Sequence, residues 1–255
     1  MLAALPRRVR LSDEAFRRAC VHEAGHAVVG CLLAEEAGRT PVEVRVFREV
    51  SPESAAGHTV YRRCIGIVRT RSGYLAEVTG LLAGLAAEEI VLGTRGDGSG
   101  GSDGSDLQRA TALATALEAS LGLGDGLAYL SPNDDAELLR RLRADPSLRS
   151  AVERTLSECL GRARAMLGAR RSALGNLSDH LVVRARASLE EIVGCVTGGD
   201  GANVGYPRAQ EDSQGMTGIA QGILAQPAHS TTPPDKRTLP WQDADSIWTG
   251  PSRVD

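Results

Sequence analysis

The stretch Val21-His22-Glu23-Ala24-Gly25-His26-Ala27-Val28-Val29 restricts this chain more than any other. Apolar residues recur around it at three and four, through Phe16, Cys20, Ala24, Ala27, Val28, Cys31 and Leu32, which is the period of an α-helix. On that helix His22 and His26 stand on one face, one turn apart, and can aim two ring nitrogens at a single zinc ion. Glu23 cannot join them as a ligand. One step along from His22, its carboxylate reaches the water in the open fourth position of a tetrahedral site, where a general base is needed. Zinc would bring the pKa of that water from about 16 towards about 7 and polarise a scissile carbonyl. The same HExxH string also fits two core or solvated histidines beside a surface glutamate, so a third ligand has to decide.

Length and composition narrow the frame around this helix. A chain of 255 residues holds one substantial core or two small domains. Its formal charge of -3 gives no electrostatic case for nucleic acid or an anionic membrane. Aromatic residues are only 3%, so the core has to be built from Ala, Leu, Val and Ile, which favours helices. The cysteines Cys20, Cys31, Cys64, Cys159 and Cys195 are odd in number and form no CxxC pair. They read as small buried hydrophobes in a reducing compartment. Met1 to Arg10 has the wrong order for a signal peptide, and the run Ala27 to Ala34 is too short for a membrane span. A cytoplasmic protein with no membrane segment is the expectation.

Along the chain, residues 1–11 read as a short lead, and Ser12 or Asp13 as the N-cap of a helix to about Ala37. Gly25 and Gly30 each cost that helix about 1 kcal/mol relative to alanine, so a close neighbour, whether a backbone, a substrate or a crowded helix, should use the missing side chains. Val42, Val44 and Val46 alternate with charged residues as a half-buried strand. After a turn at Ser51 to Gly57, His58 to Val68 reads as one or two more strands. A small antiparallel sheet there would offer a free edge to an extended peptide, or be only a capped surface strand. His58 is read as a non-ligand. A long helix is expected from Ser72 to Leu92, stopped by Gly93. Near its end Glu88 and Glu89 are either solvated charges, a ligand, or a support for an imidazole.

The next informative stretch is Gly96 to Gln108. Its glycine-rich half is loop, and Ser105 with Gln108 reads as a capping box opening a helix that runs to Gly122. Asp106 falls on the first turn. It is either an acid suited to the helix dipole or the carboxylate that completes a two-histidine, one-carboxylate zinc site.

Three segments, His22-Glu23-Ala24-Gly25-His26-Ala27-Val28-Val29, Leu82 to Ile90 and Ser102 to Thr111, resemble the successive signatures of the FtsH-type ATP-dependent zinc metalloprotease domain, in the same order and rough spacing. The resemblance covers about residues 12–196. It implies an FtsH-type zincin peptidase domain, mainly α with a small antiparallel β-sheet (α+β), at residues 12–197, with an active-site half at 12–122 and a helical half at 123–197. It implies Zn2+ held by His22, His26 and Asp106, Glu23 as catalytic base, and a hexameric ring. The chain departs from the pattern in having Gly101 to Asp106 in place of Thr-Gly-Ala-Ser-Asn-Asp, and Leu85 in place of an arginine. Asp103 is thereby a rival third ligand, and Glu88 or Glu89 a weaker one.

Members of the family that the chain resembles normally carry a membrane anchor and an AAA ATPase module ahead of the peptidase, whereas here only about a dozen residues precede the first helix. Lys236 is the only lysine and has no GxxxxGK context, so ATP hydrolysis is not expected. Helices are expected from Ser131-Pro132, from Asp145-Pro146 through about Arg171, and after the Ser188/Glu191 capping box. The arginine-rich face with Arg149, Arg154, Arg162, Arg164, Arg170 and Arg171 reads as solvated or paired with a neighbouring subunit. Residues 198–255 read as a largely disordered tail, in which Trp241 and Trp248 are candidates for a docking segment. The function implied is a zinc metalloendopeptidase acting on unfolded or extended polypeptides, alone or with a separate AAA ATPase. The alternative is a non-proteolytic regulatory or binding module that keeps the fold, with or without the metal.

Overall fold

Ser12 starts the architecture: its hydroxyl accepts from the Ala15 N–H at 3.1 Å and opens helix α1, Asp13–Leu32. The computed structural model describes residues 8–51 and 54–198. The sequence readings on 199–255, with Lys236, Trp241 and Trp248, lie outside the described residues, as do those on residues 1–7. Every residue of α1 from Cys20 to Cys31 is buried, not only the one face that the apolar spacing marks. The reason is that strands pack on one side of the helix and other helices on the rest. Small side chains make this enclosure feasible, and Phe16 is the only aromatic in the core among the described residues.

Before α1 lies strand β1 (Val9–Arg10), and after it come helix α2 (Ala34–Ala37), strand β2 (Arg39–Val46), strand β3 (Glu49–Val50) and strand β4 (Gly57–Arg63). Gly38 closes α2 with φ +61°, and β2 then directs Val44 and Val46 into the core. A register shift between Pro41 and Glu43 interrupts the alternation at Val42. Two of the strands were not expected: β1 and β3 pair with each other, and at two residues each they carry no readable period.

The expected single helix from Ser72 to Leu92 is two, α3 (Arg71–Leu81) and α4 (Ala83–Leu92), broken at Leu82 and capped by Gly93. Helix α1 crosses α4 closely enough that a Cβ on Gly25 would stand 2.5 Å from the Ala83 carbonyl oxygen. At Gly30 the neighbour is the Tyr61 ring, 2.8 Å from where a Cβ would stand. These contacts use the side chains that the two helical glycines omit.

Helix α5 spans Asp106–Ala119 and ends before Gly122. Ser105 has N-cap dihedrals, but its hydroxyl caps nothing; the Gln108 side chain accepts from Gly104 N–H at 3.3 Å, so the expected capping box is not formed. Helix α6 (Asp135–Ala144) is capped by Asp134, which accepts from Glu137 N–H at 3.1 Å, and does not start at Ser131-Pro132. Asp145 caps α7 (Pro146–Ala169) through Ser147 and Leu148 N–H groups. Helix α8 (Arg171–Arg184), strand β5 (Arg186–Ser188) and helix α9 (Leu189–Thr197) follow, and the Ser188/Glu191 capping box is present.

Strand β5 completes a three-stranded antiparallel sheet in the order β4-β2-β5, which leaves β4 at an edge. The arginine-rich side of α7 is paired within the chain: Arg162 with Glu36, Arg164 with Glu89, Arg154 with Asp125. All five cysteines are free, and Cys64 is exposed because the chain leaves β4 there, contrary to the buried role read for it. Among the described residues no helix is long and apolar enough to cross a membrane.

Candidate metal centre

Helix α1 delivers His22 and His26 to one face, and the head of α5 delivers Asp106 opposite them. The three donor atoms form a nearly equilateral triangle: His22 Nε2 to His26 Nε2 3.0 Å, His22 Nε2 to Asp106 Oδ2 3.1 Å, His26 Nε2 to Asp106 Oδ2 3.0 Å. Zinc bonds of about 2.0–2.2 Å put neighbouring donors of a tetrahedral site roughly 3.3–3.6 Å apart, so the triangle is a contracted version of such a site.

The remaining ring nitrogens decide what the triangle wants. His26 Nδ1 faces the Gly80 carbonyl at 2.8 Å, which can only accept, so Nδ1 carries the proton and Nε2 presents its lone pair. His22 Nδ1 faces Glu88 Oε1 at 2.8 Å, on a carboxylate that also takes Arg18 Nη1 at 2.6 Å and the Gly96 N–H at 2.7 Å. In their neutral forms both imidazoles therefore turn lone pairs toward each other and toward a carboxylate. Three converging lone pairs need a cation between them. The same demand acts on the proton: burial works against charge on His22, but hydrogen bonds to Asp106 and Glu88 outweigh it and raise the imidazole to about 10. For Asp106, burial pushes upward, and the two histidines hold it far below the usual carboxylate range nonetheless. A donor set of two imidazole nitrogens and one carboxylate oxygen suits zinc.

The break at Leu82 serves this centre twice. It ends α3 where the Gly80 carbonyl meets His26, and it starts α4 with Gly84 against the His22 ring, where a Cβ would collide with Cε1 and Nε2. Neither glycine was singled out in the sequence, although their spacing inside a helical stretch is a usable signal. Arg18, one turn before His22 on the same helix, was missed as well. Thr59 was the remaining omission. Its hydroxyl donates to Glu23 Oε2 at 2.8 Å from β4, and Gly57 leaves room for the Glu23 side chain, since a Cβ there would stand 2.7 Å from Glu23 Cγ.

The alternatives for the third corner separate cleanly. Asp103 is exposed and outside the cluster. Glu88 supports His22 from behind, and Glu89 is turned outward to Arg164 and Arg95. Among the described residues, the group of side chains placed to share a metal is His22, His26 and Asp106. His58 has its ring near Phe47, 5.5 Å between centroids, and takes no part in the cluster.

Residues 9–193 match the model of Peptidase family M41. The chain belongs to that family. Among curated relatives, the chain is 35% identical over 193 residues to "ATP-dependent zinc metalloprotease FtsH 1" of Symbiobacterium thermophilum, covering 73% of this chain and 30% of the relative. It is 30% identical over 188 residues to "ATP-dependent zinc metalloprotease FtsH" of Thermobaculum terrenum, covering 69% and 28%. The chain thus spans less than a third of the length of these curated relatives. The α+β architecture, mostly helical with a small antiparallel sheet, agrees with an M41 peptidase domain.

Proposed function

We propose that this chain is a zinc-dependent endopeptidase that hydrolyses peptide bonds of unfolded or extended polypeptides. His22, His26 and Asp106 hold Zn2+, and Glu23 is the catalytic base. The observation that carries the reading is the triangle of donor atoms 3.0–3.1 Å apart, with each imidazole's other nitrogen already committed as a donor. Zinc, when bound, supplies Lewis acidity to the attacking water and to the scissile carbonyl.

The chain's own groups do the rest. Thr59 fixes Oε2 of Glu23, so Oε1 is the oxygen left to take the proton of the attacking water and return it to the leaving amine. Glu88, anchored by Arg18 and Gly96, sets the tautomer and angle of His22, while Gly80 does so for His26. The outer edge of β4, beside Glu23, offers main-chain hydrogen bonds to an extended substrate. Folded substrates would need unfolding by an AAA ATPase, in keeping with the words "ATP-dependent" in the relatives' names. Assembly into a ring and a cytoplasmic location belong to the same proposal.

The test is cleavage of a permanently unfolded protein by purified chain, with and without chelator, beside Glu23→Gln. The expectation is chelator-sensitive cleavage that Glu23→Gln lowers by roughly 10²–10⁴, the usual worth of a general base, with zinc retained. Cleavage surviving both changes would remove zinc and Glu23 from the mechanism. Zinc retention without cleavage by the unaltered chain would favour a regulatory or binding module.

A further inference from the structure

Between β4 and α3 lies the loop Cys64-Ile65-Gly66-Ile67-Val68, in which Ile65 is 98% and Val68 90% exposed. A single exposed apolar residue needs no explanation. Two of them on a segment anchored this firmly do. The Cys64 N–H donates to the Gly38 carbonyl at 2.9 Å. Ile67 turns down onto Gly38, where a Cβ would collide with its Cδ1, so the loop sits in a cradle that a glycine opens. Arg63 and Arg69, immediately before and after the loop, both bond the same buried carboxylate, Glu77, with Arg63 at 2.6 Å. The result is a loop tethered at both ends, with an ionic base, a half-exposed Ile67 against Gly38 and aliphatic tips. A backbone tethered in advance lowers the entropic cost of the contacts its side chains make.

Strand β4 runs from the Thr59 contact with Glu23 directly into this loop, and no described strand pairs with its outer edge. At a strand rise of about 3.3 Å per residue, a peptide lying along that edge with its scissile bond near Glu23 reaches the loop roughly four to six residues away. An unfolded polypeptide exposes the apolar side chains that a folded one buries, which is the chemistry that Ile65 and Val68 match. We infer that Ile65 and Val68 form an apolar subsite that takes an aliphatic or aromatic side chain of an extended polypeptide substrate, several residues from the bond to be cut. The inference rests on the endopeptidase reading and adds to it a determinant of substrate choice.

Peptide binding tests it without depending on turnover. Zinc-loaded Glu23→Gln protein is titrated by fluorescence anisotropy with labelled peptides that share one centre and carry Leu-Val-Leu or Ser-Asn-Ser about five residues to either side. The expectation is about tenfold tighter binding of the apolar version on one of the two sides, the worth of burying one such side chain in part. Adding I65S and V68S should bring that ratio to about one; Ile67, which packs on Gly38, is left in place. A ratio unchanged by the two substitutions, or no preference in Glu23→Gln, overturns the inference. If the preference is present but the unaltered chain cleaves none of the peptides, the endopeptidase reading fails instead. Sedimentation of the same proteins covers the remaining occupant: a drop in oligomeric mass with the peptide ratio unchanged would give the surface to a second copy of the chain and overturn the subsite.

Discussion

Glu77 on α3 and Glu88 on α4 are each 1% exposed and each gripped by arginine, yet their surroundings point to different work. Glu88 takes Arg18, the Gly96 N–H and the His22 ring. Glu77 takes Arg39 at 3.0 Å together with Arg63 and Arg69, tying β2, the end of β4 and the following loop to one helix. Burial raises both carboxyls, and the cationic and hydrogen-bonding partners more than offset it, so both end below the ordinary value near 4.5. A buried charge steers a metal ligand only when one of its donors is the ligand itself. Otherwise it fastens the scaffold.

The largest effect that could break this distinction is on Glu77. Glu77→Gln leaves Arg39, 5% exposed, without its carboxylate and should cost about 3 kcal/mol of folding stability, with zinc affinity little changed. Because the folded-state pKa of Glu77 is depressed, its contribution is present above about 4.5 and is lost as pH falls through the lowered value. Thermal melting across that acid range should therefore show a steeper fall for the unaltered chain than for Glu77→Gln. Equal slopes would separate Glu77 from the acid response.

Glu88→Gln should do the reverse. It keeps an acceptor near His22 but removes the charge, and zinc affinity measured by competition with a chromophoric chelator should fall by roughly 10–100-fold, as for other partners behind a ligand. Melting of the metal-free protein should move less than for Glu77→Gln. A third substitution sharpens the contrast from the steric side. Gly84→Ala drives a methyl against the His22 ring, and about tenfold weaker zinc binding is expected, in line with overpacking costs of about 1–3 kcal/mol. Unchanged affinity would mean that the ring is free to shift, contrary to its hold on Glu88.

Much of this contrast was hidden in the sequence, for local reasons. Ser12, Asp145 and Ser188 with Glu191 were legible as helix starts because a cap is a bond between a side chain and its own next turn. Ser131-Pro132 and Asp134 are two good starters only three residues apart, and the tertiary packing of Leu138 chooses the second. At the break itself Leu81, Leu82 and Ala83 all favour a helix, and the local signal is the pair of glycines on either side, Gly80 and Gly84, each of which weakens a helix by about 1 kcal/mol. What those glycines are for is not local: Gly80 offers its carbonyl to His26 and Gly84 makes room for the His22 ring. The side chains His22, Glu23, His26 and Asp106 could be named from spacing and resemblance, and the structure brings their helices together. Which of Glu88 and Glu89 faces inward could not be named, because adjacent helical residues differ by a rotation that only the position of α1 resolves. The salt-bridged arginines of α7 were likewise unreadable: their partners Glu36, Glu89 and Asp125 are far away in sequence.

The claim on which the rest depends is that Asp106 closes the cage begun by His22 and His26. Zinc content per chain, measured by mass spectrometry on the unaltered protein, Asp103→Ala and Asp106→Ala after desalting, addresses it without any assay of activity. About one zinc in the first two and none in Asp106→Ala is the predicted result, a tetrahedral site being unable to hold the ion through two imidazoles alone at submicromolar free metal. Zinc retained in full by Asp106→Ala, or absent from the unaltered chain, would contradict it.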